Sequence, residues 1–149
     1  MFNLAISYQN NKDFVSAVEW AKKAAQKGNS DAQFLMGRYY YKGEGIAQNY
    51  KKAIEYLQES SSQNNLNAKV LLGICLLNGT GILKDEQQAF ILFNESSNKG
   101  SYWGKCELAK CYKYGIGVPK DEQKAKELEK EIDFSSMSST DFVLKYWAE

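Results

Sequence analysis

The stretch Tyr40–Ile46, which reads YYKGEGI, decides how the chain folds. Its Gly-x-Gly has two possible interpretations. In a phosphate-binding loop the glycines open a helix, so that unbonded backbone N–H groups point at the anion. In a structural turn the glycines follow a helix, because glycine accepts the left-handed backbone of a C-terminal stop. The context of the motif in the rest of the chain separates the two.

The same pair of glycines returns at a fixed spacing. Gly43-x-Gly45 recurs 36 residues later at Gly79-x-Gly81 and, after the same interval, at Gly115-x-Gly117. Such a period is typical of stacked helix pairs. Two more series keep the step across the chain: Ala17, Ala53, Ala89 and Ala125, and the short polar residues Asp13, Asn49, Asp85 and Asp121. We expect each polar residue to cap the helix that follows it.

Each unit therefore reads as two helices, the first of which ends at the glycine pair. A helix end presents carbonyls with partial negative charge, which repel phosphate, so the structural turn is favoured. Residues 2–10 read as a truncated first helix whose glycine turn has been replaced. The remaining first helices are predicted near 31–42, 67–78 and 103–114, and the second helices near 13–27, 49–63, 85–99 and 121–132.

Small and large residues alternate as packed helices require. Small residues allow a neighbouring helix to approach, and large ones fill the gap. On the first helices Gly37, Gly73 and Ala109 follow Met36, Leu72 and Leu108. On the second helices Trp20, Tyr56, Leu92 and Leu128 come three residues after the alanine series, on the same helical face.

The composition is that of one globular domain with almost no net charge. The 149 residues include 19 Lys and Arg against 18 Asp and Glu, and the lysines are interleaved with acids, so neither nucleic acid nor a membrane is an expected partner. The sequence has no signal-peptide pattern and no apolar run of membrane-spanning length, which favours a cytoplasmic protein. Three cysteines without C-x-x-C spacing predict neither a disulfide framework nor a metal site.

Catalysis is not expected. The chain has no histidine, which removes the commonest general base and the Ser-His-Asp triad. Acidic pairs such as Asp85 and Glu86 sit at predicted helix starts, where the dipole stabilises negative charge. Cys75 and Cys111 share a repeat position with Tyr39, which favours a packing role. We therefore expect no enzyme and no cofactor; a carboxylate- or thiol-based enzyme is the least favoured alternative.

The pattern resembles a known family. Ala32, Met36, Gly37, Tyr40, Gly43, Gly45 and Ile46, followed by Ala53, are similar to the Sel-one-like repeat (SLR), a relative of the tetratricopeptide repeat. The last unit is similar, with Ala109 in the usual glycine position, whereas the first unit lacks its glycines. The resemblance implies an all-α, right-handed solenoid with a degenerate unit at 1–30 and repeats at 31–66, 67–102 and 103–134.

The C-terminal stretch breaks the period. A Ser-rich linker precedes Ser139 and Thr140, either of which can cap a helix predicted at about 138–148. One interpretation is a capping helix that seals the exposed core of the last unit, since solenoids need caps to stay soluble. The other is that its aromatic residues contact a partner or a second copy of the chain.

The resemblance also implies a surface and a function. First helices of such solenoids line a concave face, which serves protein binding in adaptors and scaffolds. The residues expected there are Phe34, Arg38, Tyr41, Lys42, Val70, Ile74, Leu77, Asn78, Trp103, Cys106, Lys110, Lys113 and Tyr114. Their apolar centre and basic, aromatic ends would suit an acidic protein partner with an apolar ridge.

Several possibilities remain open at this point. The apolar candidates of the concave face could be buried between neighbouring units instead of contacting a partner. The partner could be a component of a complex, for an adaptor, or a bacterial toxin, for an immunity protein. A homo-oligomer assembled through the C-terminal helix is the alternative to both.

Overall fold

A computed structural model describes residues 1–132, which form a stack of helix pairs. The helices in this part of the chain are α1 (Phe2–Asn10), α2 (Phe14–Gln26), α3 (Ser30–Lys42), α4 (Tyr50–Ser62), α5 (Leu66–Asn78), α6 (Glu86–Asn98), α7 (Tyr102–Tyr114) and α8 (Glu122–Glu131). Each helix predicted within these residues is present, and each end lies within one residue of its predicted position. The capping helix expected at about 138–148 lies outside the described residues.

Each second helix begins at the polar residue that the period predicts. The side chains of Asp13, Asn49, Asp85 and Asp121 accept hydrogen bonds of 3.0–3.2 Å from the backbone N–H three residues later, which confirms them as caps. The first helices α3, α5 and α7 have caps of their own, which were not predicted. They are Asn29, Asn65 and Ser101, again 36 residues apart, with hydrogen bonds of 2.8–3.0 Å.

The first glycine of each pair ends a helix, as predicted. Gly43, Gly79 and Gly115 are the C-caps of α3, α5 and α7, with φ of +74°, +67° and +69°. The N–H of Gly43 donates to the carbonyl of Tyr39 at 2.7 Å and closes the last turn. The motif is therefore a helix stop, and the phosphate-loop interpretation is excluded.

The second glycine joins neighbouring units. A Cβ at Gly45 would lie 2.3 Å from the carbonyl oxygen of Phe14, the first residue of α2. Gly81 and Gly117 have the same relation to the first residues of α4 and α6. Only glycine lets the turn approach the preceding unit this closely.

Helices within a unit pack through the predicted small residues. A Cβ at Gly37 would lie 2.8 Å from the side chain of Leu57, and one at Gly73 would lie 2.5 Å from the ring of Phe93. The alanine series is equally enclosed, because Ala53 and Ala89 are fully buried. Consecutive helices contact each other along the whole stack, and α5 also contacts α7, which places these first helices side by side.

A polar pair joins the two helices of each later unit. The side-chain amide of Gln33 donates to Glu59 at 3.0 Å. The ammonium groups of Lys69 and Lys105 lie 2.7 Å and 3.4 Å from Glu95 and Glu131 at the equivalent positions. This ladder of pairs was not predicted.

None of the helices within residues 1–132 has the length and apolar content of a membrane span.

Candidate functional site

The expected concave face is built from α3, α5 and α7. Because the units repeat every 36 residues, the candidate side chains fall into equivalent sets on these three helices. Arg38, Ile74 and Lys110 share one position. Lys42, Asn78 and Tyr114 share another, and each is the last residue of its helix.

Four apolar candidates are buried in the structure. The exposed fraction is 5% for Phe34, 0% for Val70, 9% for Ile74 and 1% for Trp103, and all four belong to one hydrophobic cluster. Leu77 is partly buried against the same cluster. The expectation that these side chains offer an accessible contact surface is corrected accordingly: packing encloses them, as the alternative interpretation held.

Five candidates are exposed and form what we call the rim of the concave face. They are Lys42, Asn78, Lys110, Lys113 and Tyr114. All five lie in the C-terminal halves of the first helices, next to the glycine turns. Tyr114 is the most accessible aromatic residue of the described chain, with 65% of its surface exposed. The rim is therefore the part of the predicted site that a partner can reach.

Arg38 is buried at the base of the face and paired within the chain. Its guanidinium lies 3.8 Å from the carboxylate of Glu44, which sits between the two glycines of the turn. Burial lowers the pKa of Arg38, and the charge of Glu44 opposes that shift. Arg38 was predicted to be a binding residue, whereas its partner Glu44 was not predicted. Glu44 could have been noticed because Thr80 and Ile116, which carry no charge, occupy the same turn position in the later units.

The rim lysines also have acidic neighbours. The ammonium of Lys110 lies 3.1 Å from Glu107, and that of Lys113 lies 4.0 Å from Glu129, while both side chains stay about half exposed. Burial lowers the pKa of Lys42, which the nearby Glu44 partly offsets. These carboxylates reduce the positive electrostatic potential of the rim. The rim is therefore a mixed polar and aromatic surface and is not strongly basic.

The remaining candidates are half-buried. Tyr41 packs edge to face against Tyr50, with ring centroids 5.5 Å apart, and burial raises its pKa. Cys106 lies in the second turn of α7. The other two thiols are in the core, where burial raises the pKa of both Cys75 and Cys111 to about 12. Such thiols are poor nucleophiles at neutral pH, which agrees with the predicted packing role.

The carboxylates beside this face bear on whether it could carry a general base. A general base needs a titratable group within hydrogen-bond reach of a bound substrate and a pKa near the working pH. The carboxylates here are already engaged by lysine or arginine. Within residues 1–132, no three side chains of the His, Cys, Asp or Glu type come together as a metal site.

Comparison with solved structures identifies the fold. A Sel1 repeat protein from Oxalobacter formigenes superposes with a TM-score of 0.81 at 29% identity, over 93% of this chain and 58% of its own. The protein c5321, a protective antigen in uropathogenic Escherichia coli strains that displays an SLR fold, gives 0.80 at 27% identity, over 97% of this chain and 32% of its own. This chain thus spans just over half of the first relative and about a third of the second.

A third structure, a Sel1 repeat protein from Klebsiella pneumoniae, shares the fold with a TM-score of 0.73 at 23% identity, over 99% of this chain and 71% of its own. No curated protein matches the chain. The Sel1 repeat profile matches residues 1–29, 30–65, 67–101 and 104–128, which is most of the sequence. The chain therefore belongs to the Sel1 repeat family, an α-solenoid family whose members generally mediate protein–protein interaction and are typically not catalytic.

Proposed function

We propose that this protein binds a protein partner through the rim of its concave face, without catalysis. It would act as a small cytoplasmic adaptor or as an immunity protein that neutralises a bacterial toxin. Both roles require the same event, which is the binding of a protein partner. An adaptor holds its partner in a complex, whereas an immunity protein covers the partner's active surface.

The observation that carries the proposal is the variation of exposed rim positions between otherwise repeated units. The positions that build the fold are nearly identical in the three later units, as the glycine, alanine and cap series show. In contrast, Lys42, Asn78 and Tyr114 occupy one exposed position with a cation, an amide and an aromatic ring. Side chains that differ between units at an accessible position are not required by the fold, so they are available for recognition.

The chemistry of the rim indicates what the partner presents. Tyr114 is large and exposed, and Tyr is enriched among interface residues that carry most of the binding energy. Lys113 lies over its ring, 5.7 Å from the centroid. A partner with an apolar ridge would bury this ring, and carboxylates beside the ridge would meet Lys110 and Lys113 in competition with Glu107 and Glu129.

The cysteines support a reducing compartment. None of the three, all within the described part of the chain, forms a disulfide, and two are enclosed in the core. Proteins of oxidising compartments more often use such residues as cross-links. We therefore expect the partner in the cytoplasm.

The test compares two matched double variants of the full-length protein. The rim variant combines Lys110→Glu with Tyr114→Ala, which reverses one exposed cation and removes one large exposed side chain. The control combines Lys51→Glu with Ile91→Ala on the second helices, which makes the same kinds of change at exposed positions away from the rim. Arg38 is left intact because its burial would confuse loss of binding with loss of folding.

Tagged wild-type protein first captures its partner from the native host, and the affinity of the purified pair is then measured by calorimetry. The rim variant is expected to bind about tenfold more weakly or worse, a loss of about 1.4 kcal/mol, and the control to bind as the wild type does. A control that loses the partner, or a rim variant that keeps it, would contradict the proposal. Inhibition of a captured toxin would identify an immunity protein.

A further inference from the structure

We propose that a groove between α4 and α6 binds an aromatic side chain of a second protein, at a surface separate from the rim. The groove lies between second helices, whereas the rim belongs to the first helices. The proposal goes beyond the function assigned above and does not rest on it. We call this surface the α4–α6 groove, and its lining includes Gln58 of α4, Leu72 and Leu76 of α5, Ile82 of the following turn, and Gln88 and Leu92 of α6.

The α4–α6 groove is apolar at its base and offers no unpaired charge. Its three leucines are buried, and Ile82 is half-buried beside them. Lys69 is the one charged residue that lines the groove within residues 1–132, and its ammonium lies 2.7 Å from the carboxylate of Glu95. A charged group that entered the groove would lose its hydration without gaining a partner, whereas an apolar group would not. The groove therefore suits an apolar side chain.

The α4–α6 groove has room for a ring. Its volume is about 380 Å³. An apolar cavity of ~150 Å³ is already enough to hold benzene. One aromatic side chain of a partner therefore fits, together with part of the backbone that carries it.

The neighbouring units show which side chain suits this position. Tyr40 and Tyr112 occupy the position of Leu76, 36 residues before and after it. The ammonium of Lys52 lies 5.5 Å from the ring centroid of Tyr40, and that of Lys124 lies 4.9 Å from the ring centroid of Tyr112. Because the helices repeat, the equivalent surroundings in each unit suit a ring with a polar or charged group over its face.

The unit at residues 67–102 lacks both members of this pair. Leu76 stands in place of the tyrosine, and Gln88 stands in place of the lysine. Ile91 occupies the position of Glu55 and Glu127 in the neighbouring units, and 45% of its surface is exposed. This unit has thus exchanged the charges of its neighbours for neutral and apolar side chains. A ring from a partner would pack on the leucines of the groove and replace the one that the chain does not supply.

Nuclear magnetic resonance titration of the isotope-labelled, full-length protein tests the site. The probe is N-acetyl-tyrosinamide, a neutral molecule that carries the tyrosine side chain. The matched control probe is N-acetyl-alaninamide, which has the same blocked backbone without the ring. The tyrosine probe is expected to give saturable shifts at the amides of residues 58–64, 72–76, 82–84 and 88–92, and the alanine probe none. Shifts that are absent, that follow both probes, or that concentrate elsewhere in the chain would overturn the proposal.

A variant copied from the chain's own repeat fills the groove. Leu76→Tyr combined with Gln88→Lys reproduces the pair of Tyr112 and Lys124. This variant is expected to bind the tyrosine probe about tenfold more weakly than the wild type or worse. Gln87→Lys adds the same charge at the adjacent exposed position and is expected to bind as the wild type does. An unchanged affinity in the filled variant would contradict the assignment.

A surface variant keeps the test decisive if the filled groove disturbs folding. Ile91→Glu introduces the residue that both neighbouring units have at this position, where Glu55 lines the equivalent groove between α2 and α4. It should bind the tyrosine probe about threefold more weakly or worse, because it places a charge beside the apolar groove. Equal affinity for this variant and the wild type would overturn the proposal. So would shifts at the same amides that depend on protein concentration without any probe, since they would identify a second copy of the chain as the occupant.

Discussion

At the scale of single residues, the two glycines of each pair have different tasks. The first ends a helix in a left-handed backbone, and the second allows contact with the preceding unit. Gly28, which follows α2, also has a positive φ of +88°, but a Cβ there would meet nothing within 4 Å. Replacement by alanine thus separates the cost of the backbone conformation from the cost of the lost contact.

We expect Gly28→Ala to lower the free energy of unfolding by about 1–2 kcal/mol, the cost of a left-handed alanine. Gly45→Ala should cost at least about 1–3 kcal/mol more, because its Cβ would overlap the backbone of Phe14. Urea unfolding followed by circular dichroism measures both. Equal losses for the two variants would show that the second glycine has no role between units.

The buried thiol of Cys75 makes stability depend on pH. Burial raises its pKa from 9.0 to about 12 in the folded protein. A raised pKa means that the stabilisation is complete below the unfolded value near 9 and is lost as the pH rises towards 12. The free energy of unfolding of wild type minus that of Cys75→Ala should therefore fall above pH 9, by at most about 1.4 kcal/mol per pH unit. A difference that stays constant between pH 8 and pH 10.5 would contradict this burial.

At the scale of elements, each helix is defined mainly by its two ends. The second helices start at an Asp or Asn cap, and the first helices α3, α5 and α7 stop at glycine. These signals are local, so the sequence alone placed every described helix to within one residue. The caps Asn29, Asn65 and Ser101 follow the same rule and could have been found from their spacing.

Removal of one cap tests this description. Asp85→Ala should lower the free energy of unfolding by about 1 kcal/mol, since it removes the 3.0 Å hydrogen bond to the N–H of Gln88. Asp85→Asn should keep most of that stability because asparagine caps equally well, as Asn49 does in the preceding unit. Gln87→Ala, an exposed change in the same turn, serves as the control in thermal and urea unfolding. A loss for Asn as large as that for Ala would indicate a role for the charge instead of the cap.

The polar ladder between paired helices gives a second prediction for elements. The side chain of Lys69 is only 10% exposed, and its ammonium is paired with the carboxylate of Glu95, whose side chain is 46% exposed. Glu95→Ala should cost about 1–3 kcal/mol, because it leaves a buried ammonium without its charged partner. Lys69→Gln should cost less, since Gln33 makes the equivalent bond to Glu59. Urea unfolding of both variants and of the double variant decides this, and a larger loss for Lys69→Gln would contradict it.

At the scale of the whole molecule, repetition made the fold predictable but left much of the site open. Glycine, alanine and cap residues determine the structure within one or two helical turns. Their spacing therefore predicts where each helix begins and ends. The pair Arg38–Glu44 depends on how the turn folds back, and the pair Lys69–Glu95 depends on how two helices cross. No local sequence pattern predicts either geometry. The burial of Val70 and Trp103 likewise depends on how neighbouring helices stack. The expectation that the binding face lies on the first helices stays a prediction, and the structure shows which side chains of these helices are accessible.

Amide hydrogen exchange, measured on the protein alone and in complex, tests the claim that the rim binds the partner. We expect slower exchange at residues 40–46, 76–82 and 110–118, which carry the rim and its turns, and unchanged exchange in the exposed turns of α2, α4 and α6. Protection confined to the second helices would contradict the claim. So would a complex in which the rim segments exchange as fast as they do in the protein alone.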